Sequence, residues 1–123
     1  MEALLDTNFI MSCIVKKIDF LSQLEEKGFK VVVPREVLQE FKDLKKESKI
    51  SHEERTAIDI ALQMLSSKDI KKITIGQGKV DDLLIKKGQE GVYIATLDNG
   101  IKRKVPNKIV IFSSKKEVGV ERG

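Results

Sequence analysis

Four acidic residues, Asp6, Glu40, Asp81 and Asp98, occupy positions from which carboxylates can act together. Asp6 closes the apolar run Ala3-Leu4-Leu5, the pattern of a strand buried on both faces. Asp98 follows a second such run, Val92 to Leu97 (VYIATL). In a parallel sheet both strand ends face one edge, where α/β sheets bind ligands, so the two carboxylates approach one another if the strands are neighbours. Glu40 falls between Val37 and Leu44 on a helical wheel, at the margin of an apolar stripe, and a carboxylate near a buried face needs a partner. Asp81 and Asp82 open a further helix. Asp81 shares a face with Leu84, Ile85 and Gly88 at i, i+3, i+4 and i+7, whereas Asp82 lies off that face. Carboxylates with no thiolate partners and a single histidine in the chain suit a hard, oxygen-loving cation, Mg²⁺ or Mn²⁺.

Each acid also has a plainer explanation. Asp6 is a good helix N-cap, and Asp81 and Asp82 sit where a helix dipole favours negative charge. Asp98 heads an Asp-Asn-Gly tight turn, and Glu40 can reach solvent or a nearby lysine. Convergence of all four on one edge of one sheet is harder to explain in that way.

The elements that position these residues alternate. After the first strand, an apolar helical pattern from Asn8 to Lys27 is interrupted at Lys16-Lys17 and closed by Gly28. Phe29 to Val33 reads as a strand, and Pro34 opens a helix carrying Val37, Leu38, Phe41 and Leu44. Ser51 and Glu54 form a capping box before Ile58, Ala61, Leu62 and Leu65. Lys71 to Ile75 is a third strand, Val80 to Glu90 a helix, Val92 to Leu97 a fourth strand and Lys108 to Phe112 a fifth. Residues Lys115 to Gly123 are polar and expected to fray. Strands alternating with helices build a parallel sheet through right-handed crossovers. The expected fold is α/β, a three-layer sandwich around a Rossmann-like parallel five-stranded sheet, with residues 1–123 forming one domain.

The chain of 123 residues is 41% hydrophobic and 34% charged, enough apolar material for one core beneath a charged surface. A net charge of +4 favours anionic partners, of which nucleic acid is the commonest, although a slightly basic surface needs no partner. Cys13 is the only cysteine, so neither an internal disulfide nor a thiolate zinc cluster can form, and it is read as core packing. His52 lies in the capping box and is read as structural. No run approaches the ~18 apolar residues of a membrane span, and no signal segment is recognised, so a cytoplasmic protein is expected. A generic nucleotide binder is disfavoured. Gly76-Gln77-Gly78-Lys79 is half of a glycine-rich motif, and the helix behind it opens with two acids that would repel phosphate.

Together these segments resemble the PIN-domain ribonucleases. LLDTNFI is similar to that family's opening strand with Asp6, Thr7 and Asn8; VPREVLQEF carries its glutamate as Glu40; VDDLLIKKG matches its helix-opening aspartate, best as Asp81; ATLDNGIKRKV matches its Thr-x-Asp ending as Thr96 and Asp98. The resemblance runs from Glu2 to Phe112. The Asp-Thr-Asn-Phe-Ile opening, the Asp-Asp pair and the basic residues after Asp98 look most like the branch that processes small-subunit rRNA. The VapC toxin branch shares the same four acids.

The resemblance implies a PIN-like fold and Mg²⁺- or Mn²⁺-dependent hydrolysis of RNA phosphodiester bonds. It implies Asp6 as central ligand, Asp81 and Asp98 completing the cage, and Glu40 binding or orienting a second ion or the water. Thr7, Asn8 and Thr96 would support them from behind. Lys102, Arg103 and Lys104 follow Asp98 and are expected beside the cleft, on the RNA backbone. Lysines from Lys45 to Lys49 read as a solvated face. The implied partners are RNA and, by branch, a ribosomal precursor or an antitoxin protein; a homodimer is left open and no membrane contact is expected. The alternative is a catalytically weak RNA-binding or ribosome-assembly factor on the same fold.

Overall fold

The computed structural model describes residues 1–123. Six strands, β1 (Glu2–Leu5), β2 (Lys30–Pro34), β3 (Lys71–Ile73), β4 (Tyr93–Ala95), β5 (Lys108–Phe112) and β6 (Glu117–Glu121), form one sheet in the order β3-β2-β1-β4-β5-β6. The first five are parallel. β1 is central, and it pairs with β4 in the register Ala3–Tyr93, Leu4–Ile94 and Leu5–Ala95. The strand ends that carry Asp6 and Asp98 are therefore neighbours.

The helices are α1 (Thr7–Val15), α2 (Phe20–Glu26), α3 (Arg35–Lys45), α4 (His52–Leu65), α5 (Val80–Gln89) and the short α6 (Asn99–Lys102). Residues that alternate along each strand supply two cores. Ala3, Leu5, Val33, Tyr93, Ala95 and Ile109 face α1 to α4, where Phe9, Phe20, Phe41 and Leu65 are almost wholly buried. Leu4, Val32 and Ile94 face α5 and α6 through Leu84, Ile101 and Val105. Each large side chain fully buried in this way stabilises the fold by roughly 1.5–3 kcal/mol. The result is the expected three-layer α/β arrangement.

Two expectations are corrected. The sheet has six strands rather than five, and it is mixed, because β6 runs antiparallel to β5 from Lys108–Glu121 to Phe112–Glu117. The segment expected to fray is this sixth strand: Val118 is buried against the main core, its N–H donates to Gln23 Oε1 at 2.7 Å, and Arg122 Nε donates to the Tyr93 hydroxyl. Smaller shifts have local causes. The break in the first helical stretch falls at Lys16-Lys17, where Lys17 takes φ of 59°, and α1 is capped by Asp6 rather than Asn8. Pro34 ends β2 and precedes α3 instead of opening it. The Ser51–Glu54 capping box forms as read, with Glu54 N–H donating to Ser51 Oγ at 3.0 Å.

Candidate active site

Asp6 leaves the end of β1 with its backbone N–H donating to Ala95 O of β4 at 2.9 Å. Its side chain is 5% exposed and accepts two hydrogen bonds: from Thr7 N–H to Oδ1 at 2.8 Å, and from the Thr96 hydroxyl to Oδ2 at 2.8 Å. Both donors sit at the sheet edge, one on each neighbouring strand end. They fix the carboxylate and leave each oxygen a second lone pair.

Thr7 also links Asp6 to α3. Its hydroxyl donates to Glu40 Oε2 at 3.1 Å, which gives the half-buried glutamate the partner that its place on the helix demands. Asn8 works one strand over: its Oδ1 accepts the Leu97 N–H at 3.1 Å. Thr96 Oγ1 in turn accepts the Asp98 N–H at 3.1 Å. These side chains take over the N–H groups that strand pairing would otherwise use, which is why β4 stops at Ala95, short of the predicted Leu97. Asp98 then caps α6, its Oδ1 accepting the Ile101 N–H at 3.1 Å.

The charges at this edge oppose one another. Burial raises the carboxyl of Asp6 above its ordinary value, against the two hydrogen bonds, and the negative charges of Asp81 and Asp98 raise it further. Burial likewise raises Glu40, with Asp6, Asp81 and Asp43 adding to the effect. The chain's three ion pairs, Lys45–Asp59, Lys71–Glu2 and Lys87–Glu90, involve none of the four acids. The charge of Asp81 adds to the rise at both Asp6 and Glu40; Asp81 and Asp82 are both exposed in the first turn of α5. No three acidic, histidine or cysteine side chains stand close enough together to hold one metal ion. The four acids come from the ends of β1 and β4, from α3 and from the first turn of α5, at the edge of the sheet where those strands end.

The sequence from residue 3 to 114 matches the model of a PIN-like domain. The chain belongs to that family. A solved structure of the PIN domain endonuclease Utp24 superposes with a TM-score of 0.77 over 99% of this chain and 92% of that one, at 20% sequence identity, a likeness of fold. A search among curated proteins finds no match.

In this PIN-like domain the basic stretch after Asp98 begins in α6, where the Lys102 N–H donates to Asp98 O at 3.0 Å. Lys102 O accepts from Lys108 Nζ at 2.8 Å, and Lys104 O accepts from Gln89 Nε2 at 3.4 Å. Gln89 is eight residues along α5 from Asp81, about 12 Å of helix rise. The backbone thus descends from Asp98 toward the opposite edge, with Arg103 and Lys104 exposed. Two residues on the acid edge escaped the sequence reading. Glu36 accepts the N–H groups of Ile75 and Gly76 at 3.3 and 3.4 Å, and Arg35 donates to Thr74 Oγ1 at 3.4 Å. Together they tie the loop before α5, and hence Asp81, to the start of α3. The one signal available was their place directly after Pro34. Cys13 is buried, its thiol pushed up to about 12 by that burial, and His52 lies at the exposed start of α4.

Proposed function

We propose that this PIN-like domain is a divalent-metal-dependent endoribonuclease whose ligands are Asp6, Glu40, Asp81 and Asp98. The observation that carries the reading is Asp6 itself: an almost wholly buried carboxylate, fixed by two donors at the edge of a parallel sheet, with further acids acting on it and no cation of the protein paired to it. Such a donor set fits a hard cation, Mg²⁺ or Mn²⁺, in chemistry. The exposed carboxylate of Asp81 and the half-buried one of Asp98 would have to be drawn in on binding. A bound ion would supply an activated water and neutralise charge at the scissile phosphate.

The chain's own residues hold the geometry. Thr7 and Thr96 restrict Asp6 to one orientation, and Thr7 aligns Glu40 with it. Asn8 anchors the backbone of Leu97 and so positions Asp98 from behind. The sheet edge suits a polymer that passes across it. Lys102, Arg103 and Lys104 are proposed to meet the RNA backbone on the α5–α6 face, the exposed Arg103 and Lys104 reaching farther than Lys102.

The Asp-Thr-Asn-Phe-Ile opening and the Asp81-Asp82 pair favour rRNA processing over a toxin role. Binding to a ribosomal precursor supports the first, and a small antitoxin encoded beside the gene supports the second. The separation of the carboxylates favours one other reading, a factor that binds RNA without turnover. The deciding experiment is incubation of single-stranded RNA with wild type and Asp6→Asn in Mn²⁺ and in EDTA. Cleavage by wild type in Mn²⁺ alone supports the nuclease. Binding with no cleavage supports the second reading.

A further inference from the structure

Two residues other than glycine adopt left-handed backbone conformations, and both are lysines in turns: Lys17 at φ of 59° and Lys116 at φ of 51°. Glycine or asparagine would be the ordinary choice at such positions. The two turns lie together. Lys16 Nζ donates to Ser113 Oγ at 3.0 Å, joining the α1–α2 turn to the β5–β6 turn. Gln23 clamps the second turn from both sides, its Nε2 donating to Lys116 O at 3.0 Å and its Oε1 accepting the Val118 N–H. Lys16, Lys17, Lys115 and Lys116 are all exposed, and no ion pair neutralises any of them. The nearest acids in sequence are Asp19, occupied in capping α2 through the Ser22 N–H, and Glu117.

The location is informative. Ile109 of β5 is level with Ala95, so Val110 to Phe112 run past the end of β4, about 10 Å of strand. The β5–β6 turn therefore stands above the edge that carries Asp6 and Asp98. α1 starts on Asp6, spans nine residues, about 14 Å, and delivers Lys16 to that turn. The helix length fixes the spacing between the acid and the lysines.

We infer that these two pinned turns form a phosphate-binding wall for the RNA strand, about 14 Å from Asp6, separate from Lys102 to Lys104. The inference rests on the proposed RNA substrate. Gln23 acts as a positioning residue, holding the charges on a fixed backbone, so that binding orders little of the protein.

The test measures binding of a fluorescent oligouridine in EDTA between about 50 and 200 mM salt, alongside cleavage in Mn²⁺. The variant Lys17→Gln, Lys115→Gln, Lys116→Gln keeps the Lys16 bridge. Its affinity should fall about tenfold, and its salt dependence should become shallower by about two units of slope. The corresponding triple arginine variant should bind as wild type does. Gln23→Ala, which removes no charge, should weaken binding without changing the slope by a full unit. If wild type binds and cleaves while the glutamine variant binds with unchanged affinity and slope, the wall is overturned and the nuclease reading stands. If wild type neither binds nor cleaves RNA, both fall.

Discussion

Thr96 donates its single hydroxyl proton to Asp6 Oδ2 at 2.8 Å and accepts the Asp98 N–H at 3.1 Å, so one fully buried side chain couples the two strand-end acids. The coupling crosses the β1–β4 pairing and uses the two kinds of bond that a hydroxyl can make. Serine could reproduce it; an apolar isostere could not.

Thr96→Val should therefore leave the Asp98 N–H and one oxygen of Asp6 without partners. A loss of about 1–3 kcal/mol is expected in urea unfolding, with a large drop in RNA cleavage. Thr96→Ser should recover most of both. Equal stability of the valine and wild-type proteins would show that the hydroxyl contributes little.

Asp6→Asn should stabilise the metal-free fold at neutral pH. Burial, with Asp81 and Asp98, raises the carboxyl of Asp6 in the folded state. A carboxyl raised by folding contributes its full stability below its unfolded value and loses that contribution as pH rises through the folded value. Asparagine carries no charge and keeps one of the two acceptors: its amide oxygen can take the Thr7 N–H, while its NH₂ faces the Thr96 hydroxyl, whose proton can turn to Asn8 Oδ1. In EDTA the variant should melt a few degrees above wild type at pH 7, on the order expected for a single buried charge. The gap should close as pH falls toward about 4, the unfolded carboxylate range. Mn²⁺ should raise the melting temperature of wild type more than that of the variant. A gap that does not change with pH would remove burial of charge as its cause.

Gly88 sets how closely α5 approaches the sheet. A Cβ there would clash with Val105 Cγ1 and lie 3.0 Å from Ile94 Cγ1. Gly88→Ala should cost about 1–3 kcal/mol through overpacking and should also reduce cleavage, because α5 carries Asp81. Adding Val105→Ala should recover part of the loss. Thermal melts of the single and double variants measure the coupling directly.

Much of this arrangement is legible in the sequence because buried parallel strands announce themselves. Ala3-Leu4-Leu5 and Lys108 to Phe112 are short apolar runs bounded by polar residues, and both are strands. Leu84 and Gly88 mark the buried face of α5 as the helical period predicts. β6 was hidden because an edge strand needs few apolar residues: only Val118 and Gly119 are buried, and the rest of its pairing is backbone. The links among site residues were hidden for a different reason. Hydrogen bonds such as Thr7–Glu40 and Thr96–Asp6 join positions 33 and 90 residues apart, and no local pattern encodes them.

The adjacent acids of α5 offer the sharpest test of the site. Asp81 and Asp82 have the same charge, the same first-turn position and similar exposure, so composition and dipole effects cannot distinguish them. Their directions differ by about 100° around the helix. Leu84 and Gly88 pack on the sheet, which turns Asp81, three residues before Leu84, toward the strand ends. The charge of Asp81 is felt at both Asp6 and Glu40. Asp81→Asn should lower the Mn²⁺-dependent cleavage rate by orders of magnitude, and by relieving repulsion at Asp6 it should stabilise the metal-free protein. Asp82→Asn should retain activity and lose only a helix-dipole contribution of ~0.3–1 kcal/mol. The measurement is cleavage of single-stranded RNA by both variants, with urea melts in EDTA. An inactive Asp82→Asn beside an active Asp81→Asn would mean that the metal is gathered from the outer face of α5. The packing of Leu84 would then no longer define the catalytic side of that helix.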